Sequence, residues 1–419
     1  MTPAAAFAET TGAISSGDTA FVLISAALVM LMTPGLALFY GGMVRNKNIL
    51  GTLMQSFTAI AVITVQWVLF GYSLAFGPDI HGFIGGLDWV GLRGVGAAPN
   101  ADYAPTIPHA AFMIYQAMFA VITPALITGA VAERMKFSAF LIFTLLWSTF
   151  VYDPVAHWIW GAGGWLKNLG ALDFAGGAVV HITSGISALA AALVVGKRKG
   201  HLREAMYPHN LPMTVLGAGL LWFGWFGFNA GSALASGALS TMAFVATHIS
   251  AVAATLLWVI IEWLHRGKPT MFGAATGSIA GLATITPASG FVGPMSAMLI
   301  GCAAAGACYI ALNMKNKFGY DDSLDAFGVH GVGGVIGTLA TGLLAQKAIN
   351  PGAADGLFFG NTDLLTTQAI TVFSTAAYSF ILTAILLKLT DFMVGLRVDE
   401  ESEVIGLDIS QHGESGYTS

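Results

Sequence analysis

Long apolar runs without charged residues follow one another along almost the whole chain, separated by short polar stretches. Each run is long enough to cross a hydrocarbon layer about 30 Å thick. The runs lack the alternation of a strand, and a backbone in lipid must satisfy its own hydrogen bonds, so we interpret them as transmembrane helices. The pattern predicts eleven spans, at residues 21–43, 49–74, 110–132, 137–160, 178–196, 213–230, 239–264, 271–287, 292–313, 325–346 and 366–395.

The composition of the chain supports this interpretation. Hydrophobic residues make up 56% and charged residues 9% of the 419 residues, whereas a soluble chain is roughly one quarter charged. So few charges cannot cover a water-facing surface. We therefore predict an all-α integral membrane protein, a multi-pass protein of the cell inner membrane that contacts the lipid bilayer. The net charge of −5 gives no reason to expect a nucleic-acid partner.

The basic residues predict how the chain is oriented. Thirteen Lys and Arg residues fall in one alternate set of loops. The other set holds three, Arg93, Lys167 and Lys347, while Lys388 lies inside the last span. Basic loops of membrane proteins face the cytoplasm. We therefore expect the N-terminus outside and the C-terminus inside, which requires an odd number of spans.

Two stretches of the sequence predict an internal repeat. DFAGGAVVH (173–181) and DAFGVHGVGG (325–334) each contain Asp, Phe, Gly, Val and then His, and each opens the last span of a group of five. Five is odd, so the two groups face opposite ways, as in transporters built from inverted repeats. We expect repeat halves at about 21–196 and 213–346 and a final long helix at about 366–396. The site of such proteins lies between the halves near the midplane.

His181 and His330 are the candidate chemical groups of that site. Ionisable residues deep in a membrane are costly. Two of them in matching positions of two halves therefore favour a functional role over a purely structural one. Two neutral imidazoles can bond to each other and still offer one donor and one acceptor, so such a pair can take a proton from a cation or pass one along.

Aromatic residues near the predicted outer helix ends form a second candidate site. Tyr115 and Phe119 share a face of the third span because they are four residues apart, and Trp160 ends the fourth span. One side of the sixth span is predicted to carry Trp222, Trp225, Phe228 and Ser232. Taken singly, such rings usually belong to the core or anchor a helix at the interface. Together they can bind a small cation through their faces, at about 0.5–2 kcal/mol per contact.

Several longer motifs carry a resemblance to a known family. The chain resembles the ammonium transporter family, Amt, from about residue 21 to its C-terminus. The resemblance rests on PGLALFYGGMVRNKNIL (34–50), ITPALITGAVAERMKFSAF (122–140), DFAGGAVVH (173–181), GWFGFNAGSA (224–233), GKPTMFGAATGSIAGLATITPASG (267–290) and DAFGVHGVGG (325–334). It implies eleven helices, an inverted five-helix repeat, and a homotrimer with one pore in each subunit.

The resemblance also implies roles for the aromatic residues. Trp160 and Ser232 match the family's external ammonium site, to which Phe119 and Tyr115 also belong. Phe119 and Phe228 match the stacked pair that closes the pore below that site. Bacterial relatives carry Phe at the position of Tyr115, so this chain adds a hydroxyl group near the vestibule.

The resemblance implies that His181 and His330 are the twin histidines of the pore, and that Asp173 is the acid just outside the first histidine's helix. Asp173 lies more than a helical turn from His181 in the sequence, so we expect no direct contact between them. The residues leave two interpretations of Asp173 open. It is an N-cap and helix-dipole partner of the fifth helix, or it gives electrostatic support to a cation above the gate.

These residues predict an ammonium transporter, with methylammonium as an alternative substrate. It recruits ammonium outside, deprotonates it and passes ammonia through the histidine pore, because a bare cation costs far more to move through an apolar pore than ammonia does. Whether the proton follows by a separate route stays open. The alternatives are an Rh-type channel for ammonia or carbon dioxide gas, against which Trp160 and Ser232 argue, and an ammonium sensor. No nucleophile–base or metal-ligand set is evident, so we expect no enzyme activity, metal or other cofactor.

The ends of the chain are predicted to flank a transmembrane ammonium-channel domain at 21–396. Residues 1–20 are interpreted as a short polar external segment, although Ala-Phe-Ala before Glu9 also resembles a signal cleavage site. Residues 397–419 form an acidic cytoplasmic tail. Its EVIGLDISQHGE stretch resembles the regulatory tail of Amt proteins. That resemblance implies docking on a neighbouring subunit and binding of a PII-type signal protein.

Overall fold

A computed structural model describes residues 14–417 of the chain. In that range ten helical segments are long and apolar enough to cross a membrane, and a shorter apolar helix lies at the predicted eighth span. The eleven segments are α1 Ser16–Met43, α2 Asn46–Phe76, α3 His109–Val131, α4 Phe137–Leu169, α5 Gly177–Val195, α6 Leu211–Gly231, α7 Ala238–Arg266, α8 Met271–Ile285, α9 Pro294–Phe318, α10 Phe327–Leu344 and α11 Asp363–Val394. The predicted all-α, multi-pass membrane fold is confirmed, while the count of eleven crossings and the orientation stay predictions.

The ends of two helices differ from the sequence prediction for local reasons. α1 begins at Ser16 and not at residue 21, because the Ser15 side chain caps it by accepting the Asp18 N–H at 3.2 Å. Part of the predicted external segment 1–20 is therefore helical, and residues 1–13 lie outside the described residues. α9 continues past residue 313 to Phe318, where Gly319 takes the left-handed conformation (φ 72°) that ends helices.

Several of the apolar helices are irregular. The described residues include π-helical turns inside four of them, at Trp67–Gly71, Ser148–Tyr152, Gly177–Ile182 and Phe327–Gly331. The last two turns open α5 and α10 and contain His181 and His330. Such π-turns occur frequently at functional sites. The long part of α4 ends at Trp160, and a short helix, Trp165–Leu169, follows after a bend.

Short elements connect the helices. Strands β1 (Asp79–Ile80) and β2 (Ile84–Gly85) pair as an antiparallel hairpin between α2 and α3. Two 3₁₀ turns lie outside the apolar segments, at Val90–Leu92 and Leu357–Phe359. We call the side of the membrane with the hairpin the outer side, following the orientation that the basic residues predict.

The helices pack as two similar halves. α1 and α6 run antiparallel in close contact, since a Cβ atom on Gly42 would meet Thr214 while one on Gly231 would meet Ser25. Equivalent pairs touch in both halves: α1–α3 and α6–α8, α2–α4 and α7–α9, α3–α5 and α8–α10. This arrangement is the one expected of the inverted repeat predicted from the sequence.

An acidic residue accepts backbone N–H groups at the start of each histidine-containing helix, α5 and α10. The two acids that correspond in the structure are not the two that align in the sequence motif. The Asp173 carboxyl accepts four backbone N–H groups at the start of α5, and the Asp322 carboxyl accepts two at the start of α10. Each acid lies eight residues before its histidine, His181 or His330. Asp325, which the motif aligns with Asp173, instead has a left-handed backbone (φ 63°) and pairs with Lys315. The structural counterpart of Asp173 is therefore Asp322.

The inner loops are joined by a buried network of charges. Arg198 donates to the Asp321 carboxylate at 2.8 and 2.9 Å and lies 3.6 Å from Glu133, which also pairs with Arg45. The Arg134 guanidinium is fully buried and donates to the Ala130 carbonyl at the end of α3 and to the carbonyls of Ala132, Gly196 and Asp321 in three loops. Charge counting treats Arg134 only as a topology signal, whereas the structure makes it a structural residue.

The C-terminal tail packs against the same inner loops. Its helix α12 (Glu400–Ile405) is followed by a π-turn at Asp408–His412. Glu403 is almost fully buried and accepts the Lys199 backbone N–H and the Arg397 side chain, both at 2.6 Å. Asp408 accepts the Gly51 N–H at 2.8 Å at the start of α2. The described part of the tail is thus ordered and docked on its own subunit.

Candidate functional site: an outer cavity and a narrow space separated by two phenylalanines

A cavity of about 170 Å³ opens on the outer side, between the ends of the helices. Its lining is Phe76, Asp102, Tyr103, Phe112, Gln116, Phe119, Ile159, Trp160, Lys167, Asp173, Phe174, Ser232 and Leu234. The structure therefore brings together four residues predicted for an outer site, Phe119, Trp160, Asp173 and Ser232. The Trp160 ring stands edge-on to that of Phe119 with 5.8 Å between their centres, and its Nε1 donates to the Asp173 carbonyl at 2.9 Å. This bond fixes the orientation of the indole.

Tyr115 lies behind this cavity and does not line it. Its hydroxyl is fully buried, 2.9 Å from the carbonyls of Gly227 and Phe228 and 3.2 Å from the Ser232 Oγ. The carbonyls at the end of α6 lack partners in the helix, so the tyrosine hydroxyl satisfies one of them. Tyr115 therefore supports the position of Ser232 from behind the cavity, whereas its position in the motif predicts a hydroxyl near the vestibule.

Phe119 and Phe228 close the floor of the outer cavity. Their ring centres are 4.4 Å apart at an angle of 40°, and each side chain is only 1% exposed. Phe119 lines the outer cavity, and Phe228 lines the next cavity below it. The pair predicted as a gate thus separates two spaces, and one ring or both must move before a molecule can pass.

The space below the gate is narrow and apolar apart from two histidines. Its lining is Met32, Leu36, Phe39, Ile122, Leu126, Val180, His181, Leu221, Trp225, Phe228, Ile279 and His330. A further small cavity shares Phe39, Ile279 and His330 with it and reaches Asp325 near the inner side. The two imidazoles are therefore the main polar groups along this part of the path.

A chain of hydrogen bonds determines which imidazole nitrogen carries a proton. The Thr286 hydroxyl donates to the Leu282 carbonyl at 2.8 Å and accepts the Trp225 Nε1–H at 2.9 Å. Its oxygen is then an acceptor for His181 Nε2, 3.3 Å away. His181 Nδ1 is left without a proton and accepts from His330 Nδ1, also at 3.3 Å. The remaining nitrogen, His330 Nε2, makes no hydrogen bond to the described residues and is left as an acceptor on a residue that lines both narrow cavities.

Thr286 was not singled out by the sequence analysis. It follows α8 directly, in the stretch TITPASG, and its hydroxyl lies between His181 and Trp225. A single Thr at the end of an apolar helix carries no recognisable signal, because Thr hydroxyls commonly bond to their own helix. Only the contact between α8 and α5 reveals its role.

Asp173 has the structural role that one of its two interpretations predicts. Its oxygens accept the N–H groups of Gly176, Gly177, Ala178 and Val179 at 2.6–3.0 Å. Burial raises the pKa of the Asp173 carboxyl, and these four donors oppose that rise. Asp173 is also one of the residues that line the outer cavity, so electrostatic support of a cation stays a proposal.

Trp222 does not share the side of α6 that faces the pore. Its ring lies 5.6 Å from that of His248 on α7, whereas Trp225 and Phe228 approach His181 at 5.5 and 6.0 Å. Six residues turn a helix by about 600°, which places Trp222 and Phe228 roughly 120° apart. The prediction of one common side was therefore wrong for Trp222.

Two similar helical halves with closed, narrow cavities between them define the class of this protein as a multi-pass membrane protein. Residues 20–417 match the model of the Ammonium Transporter Family, and the chain belongs to that family. It is 53% identical over 402 residues to the ammonium transporter of Bacillus subtilis, covering 96% of this chain and 98% of that protein. It is 50% identical over 405 residues to the ammonium transporter Amt1 of Archaeoglobus fulgidus, with 97% and 100% covered.

Solved structures show the same architecture. The crystal structure of Candida albicans Mep2 superposes with a TM-score of 0.89 at 36% identity, covering 96% of this chain and 91% of that one. A structure described as a sensor Amt protein superposes with a TM-score of 0.86 at 30% identity, covering 94% and 98%. The resemblance stated from the sequence motifs is confirmed.

Proposed function

We propose that the protein transports ammonium, and that it does so by separating the proton from ammonia in the pore. The observation that carries this proposal is the contrast across the gate. Above Phe119 lies a cavity with aromatic faces, a hydroxyl and a carboxyl, and below Phe228 lies an apolar space with two imidazoles. A cation is stabilised above the gate and strongly destabilised below it.

Recruitment takes place in the outer cavity. The Trp160 ring and the neighbouring Phe119 ring offer π-faces to a cation, and the Ser232 Oγ offers an acceptor for one N–H. Asp173, at the start of α5, adds electrostatic support. Methylammonium shares the charge and the N–H donors of ammonium, so it enters the same site as an analogue.

Selection takes place at the histidines. His330 Nε2 is an acceptor for an N–H group of ammonia or ammonium, and the path leading to it is otherwise apolar. Potassium has no N–H group to donate and cannot lose its charge, so it meets the whole cost of desolvation. Loss of a proton lets ammonia continue to the inner side, while the histidine pair provides a separate station for the proton.

We also propose that the subunit works in a homotrimer and that its tail binds a PII-type signal protein. The tail packs on the inner ends of α2 and α4 and on the loop between α5 and α6, through Asn48, Phe137 and Lys199. A protein that pulls on the tail therefore acts on loops at the inner end of the pore. The similarity to a structure described as a sensor keeps sensing as the second candidate function.

Transport by the purified protein in liposomes tests the function. We expect saturable uptake of ammonium and methylammonium and no uptake of potassium. Liposomes without protein should show no saturable uptake. An electrical current recorded during uptake shows whether the proton also crosses the membrane. Flux of ammonia gas without saturation or cation selectivity would identify a gas channel, and binding without any flux would identify a sensor.

A further inference from the structure

Lys167 places an ammonium group at the mouth of the outer cavity. Its Nζ donates to the Trp160 carbonyl at 3.0 Å and lies 5.7 Å from the centre of the Tyr103 ring. The side chain lines the same cavity as Trp160 and Ser232. A primary ammonium thus already occupies a position next to the residues proposed to recruit ammonium.

The Trp160 carbonyl and the Tyr103 ring, which contact the Lys167 ammonium group, are held in place by other parts of the fold. Trp160 is the last residue of the long part of α4, where helix carbonyls lack helical partners and carry partial negative charge. The Tyr103 hydroxyl donates to the Phe76 carbonyl at 2.7 Å and accepts the Ala162 N–H at 3.0 Å. The Tyr103 ring also stacks on Phe112 with 4.9 Å between ring centres. The carbonyl and the aromatic face therefore form a rigid pair that suits a small cation.

We propose that this pair is a second cation subsite of the outer cavity, and that Lys167 competes for it with ammonium and methylammonium. The proposal rests on the proposed transport of ammonium. The lysine Nζ and the free cations have the same charge and the same kind of N–H donor, so only one of them can use the Trp160 carbonyl and the Tyr103 face at a time. The bound lysine also repels a cation that approaches Trp160 and Ser232, and this repulsion opposes the attraction of Asp102 and Asp173, which line the same cavity.

The consequence is that Lys167 raises the ammonium concentration needed for half-saturation. We expect Lys167→Met to lower the half-saturation for ammonium and methylammonium roughly threefold, the size of one exposed cation–π contact. Lys167→Arg keeps the charge and the stacking on Tyr103, so it should behave like the native protein. Lys347→Met is the matched control, because Lys347 is also exposed on the predicted outer side but does not line the cavity. The effect should shrink in high sodium chloride, which screens the charge.

A purely structural role of Lys167 predicts a different result. Lys167→Met would then lower the melting temperature of the protein and leave half-saturation as in Lys347→Met, which would overturn the proposal. The rise in melting temperature caused by methylammonium chloride over sodium chloride gives a second readout that needs no transport. We expect a larger rise for Lys167→Met, or for Lys167→Gln if the Met variant assembles poorly, than for the native protein. Absence of uptake by the native protein would contradict only the proposed transport function. Equal rises in melting temperature and equal half-saturation in the native and Lys167 variant proteins would contradict only the competition by Lys167.

Discussion

The Nδ1 atoms of His181 and His330 lie 3.3 Å apart, and a hydrogen bond between them needs exactly one proton. Thr286 settles which ring supplies it. Because the Thr286 hydroxyl proton is directed at the Leu282 carbonyl, His181 must donate through Nε2 and accept through Nδ1. The pair is therefore polarised, with its open acceptor on His330.

Replacement of Thr286 tests this polarity. Thr286→Val keeps the shape of the side chain but removes the acceptor of two buried donors, Trp225 Nε1–H and His181 Nε2–H. Each buried donor left without a partner costs about 1–3 kcal/mol. We expect His181 to change its tautomer and the maximal rate of ammonium uptake to fall about tenfold, which corresponds to about 1.4 kcal/mol.

Thr286→Ser restores the hydroxyl and serves as the control, so it should transport at nearly the native rate. Histidine ¹⁵N chemical shifts in the native and variant proteins report the tautomer directly. An unchanged rate in Thr286→Val together with an unchanged tautomer would show that Thr286 does not orient the pair.

The outer site is tested by removing its ring and its hydroxyl together. Trp160→Leu with Ser232→Leu deletes one π-face and one acceptor, each worth about 1 kcal/mol to a partly hydrated cation. We expect half-saturation for ammonium to rise about thirtyfold, since each 1.4 kcal/mol is a factor of about ten, with weaker discrimination at low concentration. Uptake measured over a range of concentrations checks this. Native values of both half-saturation and maximal rate would remove the two residues from recruitment.

The ion pair of Asp321 and Arg198 predicts a pH dependence of stability. Burial raises the pKa of Asp321, but the hydrogen bonds and charge of Arg198 and the charge of Arg134 outweigh burial and hold it well below its usual value of 3.8. A lowered pKa in the folded state stabilises the fold above the unfolded value, and this contribution is lost as the pH falls toward the folded pKa. We therefore expect Asp321→Asn to cost about 3–5 kcal/mol, because it leaves Arg198 with less charge compensation in a buried place.

Melting temperatures in detergent check this pH dependence. The difference between native protein and Asp321→Asn should be constant from about pH 8 to pH 5 and should decrease only near and below pH 4. Glu400→Gln is the matched control, because the Glu400 and Lys199 side chains of that pair are 75% and 48% exposed. It should leave the melting temperature close to that of the native protein at every pH, because exposed ion pairs contribute little to stability. A difference that disappears already near neutral pH would assign the effect to another group.

The sequence predicted most of the helices because apolar length is set by the thickness of the membrane. Long motifs singled out Phe119, Trp160, Ser232 and the two histidines, all of which line the cavities, while their roles stay predictions. The sequence did not predict Thr286, whose hydroxyl acts on another helix. It also missed the burial of Arg134, since a basic residue in a loop usually faces water.

The sequence motif indicates the wrong counterpart of Asp173, and it does not reveal the buried contact of Asp153. Asp325 aligns with Asp173 in the sequence repeat. Asp322, however, is the acid that lies eight residues before its histidine and accepts the backbone N–H groups. Asp153, fully buried in α4, accepts the Gln66 side chain of α2 at 2.7 Å. Nothing in the apolar run around Asp153 indicates that partner, because the two residues lie 87 positions apart.

Removal of the tail tests its regulatory role. Deletion of 397–419 removes the bonds of Glu403 to Lys199, of Asp408 to Gly51 and of Leu407 to Asn48, so the α5–α6 loop and the start of α2 lose partners. We expect the truncated protein to lose PII binding or to lose coupling between subunits while it remains trimeric. Glu403→Ala detaches only part of the tail and should give an intermediate effect. Full binding and full activity in the truncated protein would contradict a regulatory tail.

The twin histidines are tested by placing an acid in the pore. His181→Asp or His330→Glu introduces a potential anion, which stabilises a whole cation where the native pore has only neutral imidazoles. The desolvation barrier below Phe228 then becomes a favourable station. We expect such a variant to conduct potassium at a rate of the same order as ammonium, while the native protein excludes potassium. Potassium current or uptake in liposomes, with native protein beside the variant, is the measurement.

The control for this experiment is a neutral replacement at the same position. His330→Gln keeps a hydrogen-bonding side chain without an acid, so it should lose part of the ammonium transport and still exclude potassium. If the histidines were only core residues, both variants would mainly lower the melting temperature and the fraction of trimer. A trimeric acidic variant that rejects potassium and carries ammonium at the native rate would contradict selection by deprotonation, because a neutral pair would then be dispensable for keeping whole cations out.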